Sequence, residues 1–196
     1  MNLLILGPQG AGKGTQAKRV AADYRIPHIS TGDMFREAIA AGTELGKKVA
    51  PILASGELVP DETTVALIQE RLGSPDALDG FILDGFPRNE PQAVALDEML
   101  ARIGRRLDAI LFLDLPDDVA TERMLKRAAE ENRPDDTPEV IAKRLEVYHR
   151  DTEPLVEYYR ARGKLVALPA ALSVDEVFAE VYAEIQDALA TVDVNQ

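Results

Sequence analysis

The densest group of chemistry-bearing residues in this chain is Gly7-Pro8-Gln9-Gly10-Ala11-Gly12-Lys13-Gly14-Thr15. Glycines let a backbone wrap an anion closely, so that several N–H groups converge on its oxygens. Gly10, Ala11, Gly12, Lys13, Gly14 and Thr15 are therefore expected to cradle the phosphates of a nucleoside triphosphate. Lys13 supplies a compact charge within reach of the β- and γ-phosphates. An apolar run, Leu3–Leu6, precedes the loop and a helical pattern, Gln16–Asp23, follows it. That is the strand–loop–helix setting a P-loop requires, and the helix N-terminus adds partial positive charge. One departure stands out. The general pattern puts Ser or Thr directly after the lysine, whereas here Gly14 intervenes and the hydroxyl is Thr15. Three roles stay open for Thr15: direct contact with magnesium, contact through water, or phosphate binding alone.

The elements that must position this loop are short apolar segments alternating with helical ones, the pattern of a parallel sheet covered on both faces. Strands are expected at Leu3–Leu6, Pro27–Ile29, Gly80–Leu83, Ala109–Leu113 and Lys164–Leu168. Thr31 is placed to cap a helix beginning Gly32-Asp33-Met34, and Asp61 one carrying Val65, Ile68 and Leu72. Thr137-Pro138 pairs a cap with a proline at the first helical position, and Thr152-Glu153-Pro154 predicts a new helix or a kink. Ser173 with Glu176 has capping-box spacing before the stripe Val174, Val177, Phe178, Val181, Ile185 and Leu189. The polar stretch Ala128–Asp136 reads as an exposed, mobile loop, and Ala54–Pro60 as a second loop.

The bulk composition bounds the function. A chain of 196 residues, 46% hydrophobic and 29% charged, fits one globular domain. No cysteine is present, which excludes disulfides and thiolate metal sites, structural zinc of that kind included. The net charge of −12, from 34 acids against 22 bases, argues against a general nucleic-acid surface. The apolar run near the N-terminus is too short for a signal peptide or membrane span, so a cytoplasmic protein without a membrane partner is expected. No Ser-His-Asp set or paired acid/base carboxylates emerge, and His28 and His149 read as structural.

Further motifs recur along the chain: Ser30-Thr31-Gly32-Asp33-Met34 with Arg36, Asp84-Gly85-Phe86-Pro87-Arg88, Gln92, Arg123 and Arg127, Arg133-Pro134-Asp135-Asp136, and Arg144-Leu145-Glu146-Val147-Tyr148-His149. With the Gly-Lys-Gly-Thr loop, they resemble the nucleoside monophosphate kinases, and among them the short-lid adenylate kinases. The likeness runs from Leu3 to about Ala170. It implies a P-loop three-layer α/β/α fold over residues 1–196 with a five-stranded parallel sheet. A small helical monophosphate-binding segment, residues 30–59, and a short lid, residues 126–136, would be set into it. It implies reversible magnesium-dependent phosphoryl transfer from ATP to AMP, giving two ADP, in nucleotide homeostasis and salvage. Small relatives of this kind favour a monomer.

The resemblance also assigns residues. Lys13, Arg88, Arg123, Arg133 and Arg144 would be catalytic, and Arg123, Arg127 and the backbone of Ala170 would contact ATP. Thr31, Arg36, Glu57, Leu58, Val59, Gly85, Phe86, Pro87, Arg88, Gln92, Arg133 and Arg144 would hold AMP. Guanidinium groups suit such work because they stay charged and present forked donors to phosphate oxygens. Asp84 ends a buried apolar strand, where a carboxylate is costly without a partner. A magnesium-bound water would compensate it, and helix capping is the alternative reading. Thr31 and Gln92 favour adenine, whereas pyrimidine monophosphate kinases usually carry Ala and Asn there. Asn89, after Arg88, is shared with those relatives, so a UMP/CMP-type kinase is the runner-up. A nucleotide-binding regulatory module without turnover is the alternative from another class. Only five residues separate Arg127 from Arg133, leaving no room for the longer lid that carries metal-binding cysteines.

Overall fold

The computed structural model describes residues 1–131, 136–163 and 165–193. Five parallel strands, β1 (Asn2–Leu6), β2 (His28–Ser30), β3 (Phe81–Asp84), β4 (Ala109–Asp114) and β5 (Leu165–Pro169), form one sheet in the order β2-β3-β1-β4-β5. Among the described residues the helices are α1 (Lys13–Tyr24), α2 (Thr31–Ala40), α3 (Glu44–Ser55), α4 (Asp61–Leu72), α5 (Glu90–Arg102), α6 (Asp117–Glu131), α7 (Pro138–Val147), α8 (Pro154–Arg160) and α9 (Val174–Asp193). None of them is long and apolar enough to cross a membrane.

All five expected strands are present, shifted by a residue or so. β2 and β3 extend to Ser30 and Asp84 because these two residues pair with each other across the ladder, as Ile5 pairs with Asp84 on the other side. Lys164, the expected start of the last strand, lies outside the described residues. Alternation along β1 divides the interior. Leu3 and Ile5 join a core with Val20, Leu111, Met124, Ile141, Val181 and Ile185, under α1, α6, α7 and α9. Leu4 and Leu6 join a second core with Ile68, Leu83, Phe86, Leu96, Leu100 and Tyr159, under α4, α5 and α8. Strands buried on both faces need apolar residues at every position, which is why β1 reads as an unbroken aliphatic run. A separate small cluster of Phe35, Val49 and Val59 holds α2 and α3 together away from the sheet.

Several local expectations are corrected. The first helix begins at Lys13, ahead of Gln16, because Gly12 in the left-handed region turns the chain directly into it. Ser30, not Thr31, caps α2: its hydroxyl accepts from the Asp33 N–H at 3.3 Å, while the Thr31 hydroxyl donates to the Gly85 carbonyl. Pro60 occupies the cap position of α4, and Asp61 is the first helical residue with its carboxylate turned to other partners. Thr137 caps α7 as its spacing predicts. The new helix expected at Thr152-Glu153-Pro154 does form, as α8 beginning at Pro154 after a π-helical turn at Tyr148–Thr152, but Glu153 holds the cap position and the Thr152 hydroxyl donates to the Arg88 carbonyl. The Ser173–Glu176 capping box forms, but Val174 is 51% exposed and stands outside the apolar stripe. The expected loop over Ala128–Asp136 is helical through Glu131, and Asp136 at its far end is buried. Likewise α3 runs to Ser55, and Val59 in the second expected loop is buried.

Candidate active site

Parallel strands deliver their following loops to one edge of the sheet, and ligands of such folds bind outside the carboxyl ends where connections reverse direction. A cleft of about 330 Å³ lies there, between the loop after β1, the segment after β3, the α2–α3 unit and the helices α6 and α7. Among the described residues it is lined by seven cationic side chains and three carboxylates, in a chain of net charge −12. A focused positive cleft in an acidic protein selects small, highly charged anions.

The loop after β1 has the backbone that its glycines anticipate. Gly10 has φ +86°, and a Cβ there would lie 2.7 Å from the carbonyl oxygen of Ala120 on α6. Only glycine allows both that conformation and that approach. The Lys13 ammonium donates to the carbonyls of Gly7 and Pro8, each at 2.8 Å. Burial lowers its pKa from 10.5 to about 8, against the opposing attraction of Asp84. Gly14 faces Asp84: an added Cβ would be 3.5 Å from Oδ2. The position at which the general motif carries its hydroxyl is therefore the one beside this carboxylate, while Thr15 is exposed one residue further on. Gly10, Gly12, Lys13, Gly14 and Thr15 line the cleft, whereas Ala11 is buried beneath it.

On the other wall, Arg88 is held by its Nε–H donating to the Gly85 carbonyl at 2.8 Å, and burial lowers its pKa from the ordinary value. Gly85 has φ +79°, and a Cβ would come within 2.9 Å of the Thr31 hydroxyl, so this turn also needs glycine. Thr31, Arg36, Gly85, Arg88 and Gln92 line the cleft together, with Glu57, Leu58 and Val59 closing it from the α2–α3 side. Arg36 pairs with Asp33 at 2.5 Å. Phe86 and Pro87 stand apart: the Phe86 ring is packed in the second core, and Pro87 lines a small cavity behind the loop after β1.

The remaining arginines come from α6 and α7. Arg123 donates to the carbonyls of Ala170 and Leu172, tying α6 to the loop after β5. Both backbone groups of Ala170, expected to contact ATP, are engaged within the fold: its carbonyl accepts from Arg123, its N–H donates to the Asp114 carbonyl, and the residue is buried. Arg127 and Arg144 meet on Asp136, whose side chain is fully buried: Oδ2 accepts from Arg127 at 2.6 Å, and Oδ1 pairs with Arg144. Arg133 lies outside the described residues.

Sequence reasoning missed three polar residues around this site. Asp136 sits in a polar run that reads as solvated, and nothing local signals that two arginines enclose it. Asp61 looks like a helix cap. His28 reads as structural, yet its Nε2 lies 3.2 Å from Asp84 Oδ2. Its signal was the ladder: His28 pairs with Ile82, two residues before Asp84, and so shares its face of the sheet.

The doubly wound parallel sheet, the glycine-rich loop and the converging cations define a P-loop phosphotransferase architecture. The sequence model of the family described as Adenylate kinase matches residues 5–164. An adenylate kinase of Parvibaculum lavamentivorans is 50% identical over 184 residues, covering 92% of this chain and 90% of that protein. One of Stenotrophomonas maltophilia is 47% identical over 95% of this chain and 100% of that protein. One of a Caulobacter species is 52% identical over 90% of this chain and 94% of that protein. This chain belongs to the adenylate kinase family, and so to the nucleoside monophosphate kinases.

Proposed function

We propose that the protein catalyses reversible transfer of the γ-phosphoryl group of ATP to AMP, giving two ADP, as part of nucleotide homeostasis and salvage. The observation that carries this is the meeting of Lys13, Arg88, Arg123, Arg127 and Arg144 in one cleft between the loop after β1 and the α2–α3 unit. Phosphoryl transfer asks little covalent chemistry of a protein and much positioning and charge compensation. In this reading Gly10–Thr15 hold the triphosphate, with Lys13 leaving the Gly7 and Pro8 carbonyls to meet it. Arg36 and Arg88 grip the monophosphate, while Thr31, Gln92, Gly85 and residues 57–59 enclose the nucleoside. Arg123, Arg127, Arg133 and Arg144 surround the group in transfer.

Residues 30–59 act as the monophosphate-binding segment, with a core of their own around Phe35 and Val49 that lets them move as a unit. Residues 126–136 act as the lid. Closure of such elements, of which adenylate kinase lids are a familiar example, sequesters the reaction from water. Magnesium suits the site: hard carboxylate and phosphate oxygens are its ligands, and Asp84 stands beside Gly14 where a nucleotide-borne ion would come. Asp84 would hold it through water, and the ion when bound offsets charge on the β- and γ-phosphates. The protein works as a cytoplasmic monomer on free nucleotides. UMP/CMP-type activity is disfavoured, since the curated relatives above are adenylate kinases. Incubation with magnesium and ADP alone should yield ATP and AMP in equal amounts by ³¹P NMR; no conversion would sink the proposal.

A further inference from the structure

Gln92 stands at the cleft with its side-chain amide already engaged on both sides. Its Oε1 accepts from the Arg88 backbone N–H at 2.8 Å, and its Nε2 donates to Asp61 Oδ1 at 2.7 Å. A backbone N–H can only donate and a carboxylate oxygen accepts, so these partners fix which end of the amide is which. Asn89 completes the arrangement. Its Oδ1 accepts from the Gln92 backbone N–H at 3.0 Å, and its Nδ2 donates to the same Asp61 oxygen at 2.9 Å. Asp61 is thus held from two sides at the first residue of α4, a place where its carboxylate makes no cap.

We propose that Asp61 is a positioning residue that sets the hydrogen-bond polarity of Gln92 and thereby selects the acceptor base. The proposal rests on Gln92 reading that base, as proposed above. With one Nε2 hydrogen and one Oε1 lone pair left, Gln92 presents a donor and an acceptor in a fixed order. Adenine offers an amino donor beside a ring-nitrogen acceptor, which matches that order. Hypoxanthine and guanine offer the reverse, a carbonyl beside a ring N–H. Cytosine resembles adenine in this respect and uracil resembles guanine. Reading a reversed edge requires the amide to turn over, which sets Nε2 against the Arg88 N–H and Oε1 against the Asp61 carboxylate. Both bonds are then replaced by like-against-like contacts in a buried place, where unpaired polar groups are costly. Polarity thus disfavours hypoxanthine, guanine and uracil, while adenine and cytosine share the order that Gln92 presents, and Asn89 helps to hold that order through Asp61.

The test compares kcat/KM for AMP, IMP, CMP and UMP in the intact enzyme and in Asp61→Asn, with thermal unfolding of both. Asn presents either a donor or an acceptor to Gln92, so the AMP-to-IMP ratio should fall about tenfold or more. Equal losses on both acceptors, with the ratio unchanged, would show that Asp61 only ties α4 to α5 and would overturn the proposal. The wild-type enzyme supplies a second reading that does not depend on the variant folding. It should prefer CMP to UMP by about tenfold or more, and UMP used as well as CMP overturns the proposal. Failure of the wild-type enzyme to use AMP at all would instead overturn the function from which the proposal starts, and is seen before any variant is compared.

Discussion

Replacing Asp136 by Ala should unfold the protein at a markedly lower temperature and release two arginines that line the cleft. The Asp136 side chain is wholly buried, while those of Arg144 and Arg127 are 12% and 29% exposed. Removing one partner of a buried ion pair costs ~3–5 kcal/mol, because the remaining charge is left uncompensated. Arg144 also donates to the Leu53 carbonyl, and Arg127 can regain water, so the lower end of that range applies. A loss of ~3 kcal/mol in a chain of this length corresponds to a fall in Tm of ~6–12 °C. Circular dichroism melts without nucleotide measure the fall, and steady-state assays of the same variant should show reduced kcat, since Arg127 and Arg144 are no longer pinned toward the cleft. Asp136→Asn keeps the shape and one acceptor, and should fall between wild type and Asp136→Ala. A Tm within about 2 °C of wild type for the alanine variant, less than ~1 kcal/mol in a chain this long, would refute the reasoning that this carboxylate holds α6 and α7 together.

Lys13 carries a depressed pKa of about 8 because it is buried. The unfolded chain therefore binds more protons than the folded one between about pH 8 and 10.5, so stability rises across that window and the penalty is complete below it. Lys13→Met should thus melt no lower than wild type at pH 7, lose that advantage by pH 10.5, and lose kcat by ~10²-fold or more; near-normal turnover would contradict its role. The same titration predicts that kcat/KM falls as pH rises through about 8 in the free enzyme, whereas kcat holds to higher pH because bound phosphates favour the charged lysine. Gly10→Ala drives a Cβ to 2.7 Å from the Ala120 carbonyl, so a loss of ~1–3 kcal/mol and a raised KM for ATP are expected in melts and kinetics. Ser173→Ala removes one half of the α9 capping box and should cost ~1 kcal/mol in denaturant titrations with kcat unchanged.

Much of this molecule was legible because its signals are local. Four aliphatic residues before a glycine-rich loop specify a buried strand and an anion cradle together, and the structure moves strand ends by only a residue or so. Thr137-Pro138 and Ser173–Glu176 are read correctly because capping involves neighbours in sequence. The misreadings concern side chains whose partners are far along the chain. Asp61 and Thr31 look like caps to a reader of neighbours, but are drawn instead to Gln92, Asn89 and Gly85, between 28 and 54 residues away. Asp136 shows a different limit: its partners Arg127 and Arg144 are only nine and eight residues away, but they sit on two helices whose convergence no local pattern signals. Arginine positions were recognised through family motifs, since charge alone predicts a solvated surface.

The most direct measurement of the central claim is ADP formation from ATP and magnesium, by coupled assay, with AMP, CMP and UMP offered separately as acceptors. AMP should be used with a kcat/KM about 100-fold or more above that of either pyrimidine nucleotide, a gap of ~3 kcal/mol in transition-state binding. Nucleotide bound without ADP formation from AMP, or UMP used as readily as AMP, would contradict that claim.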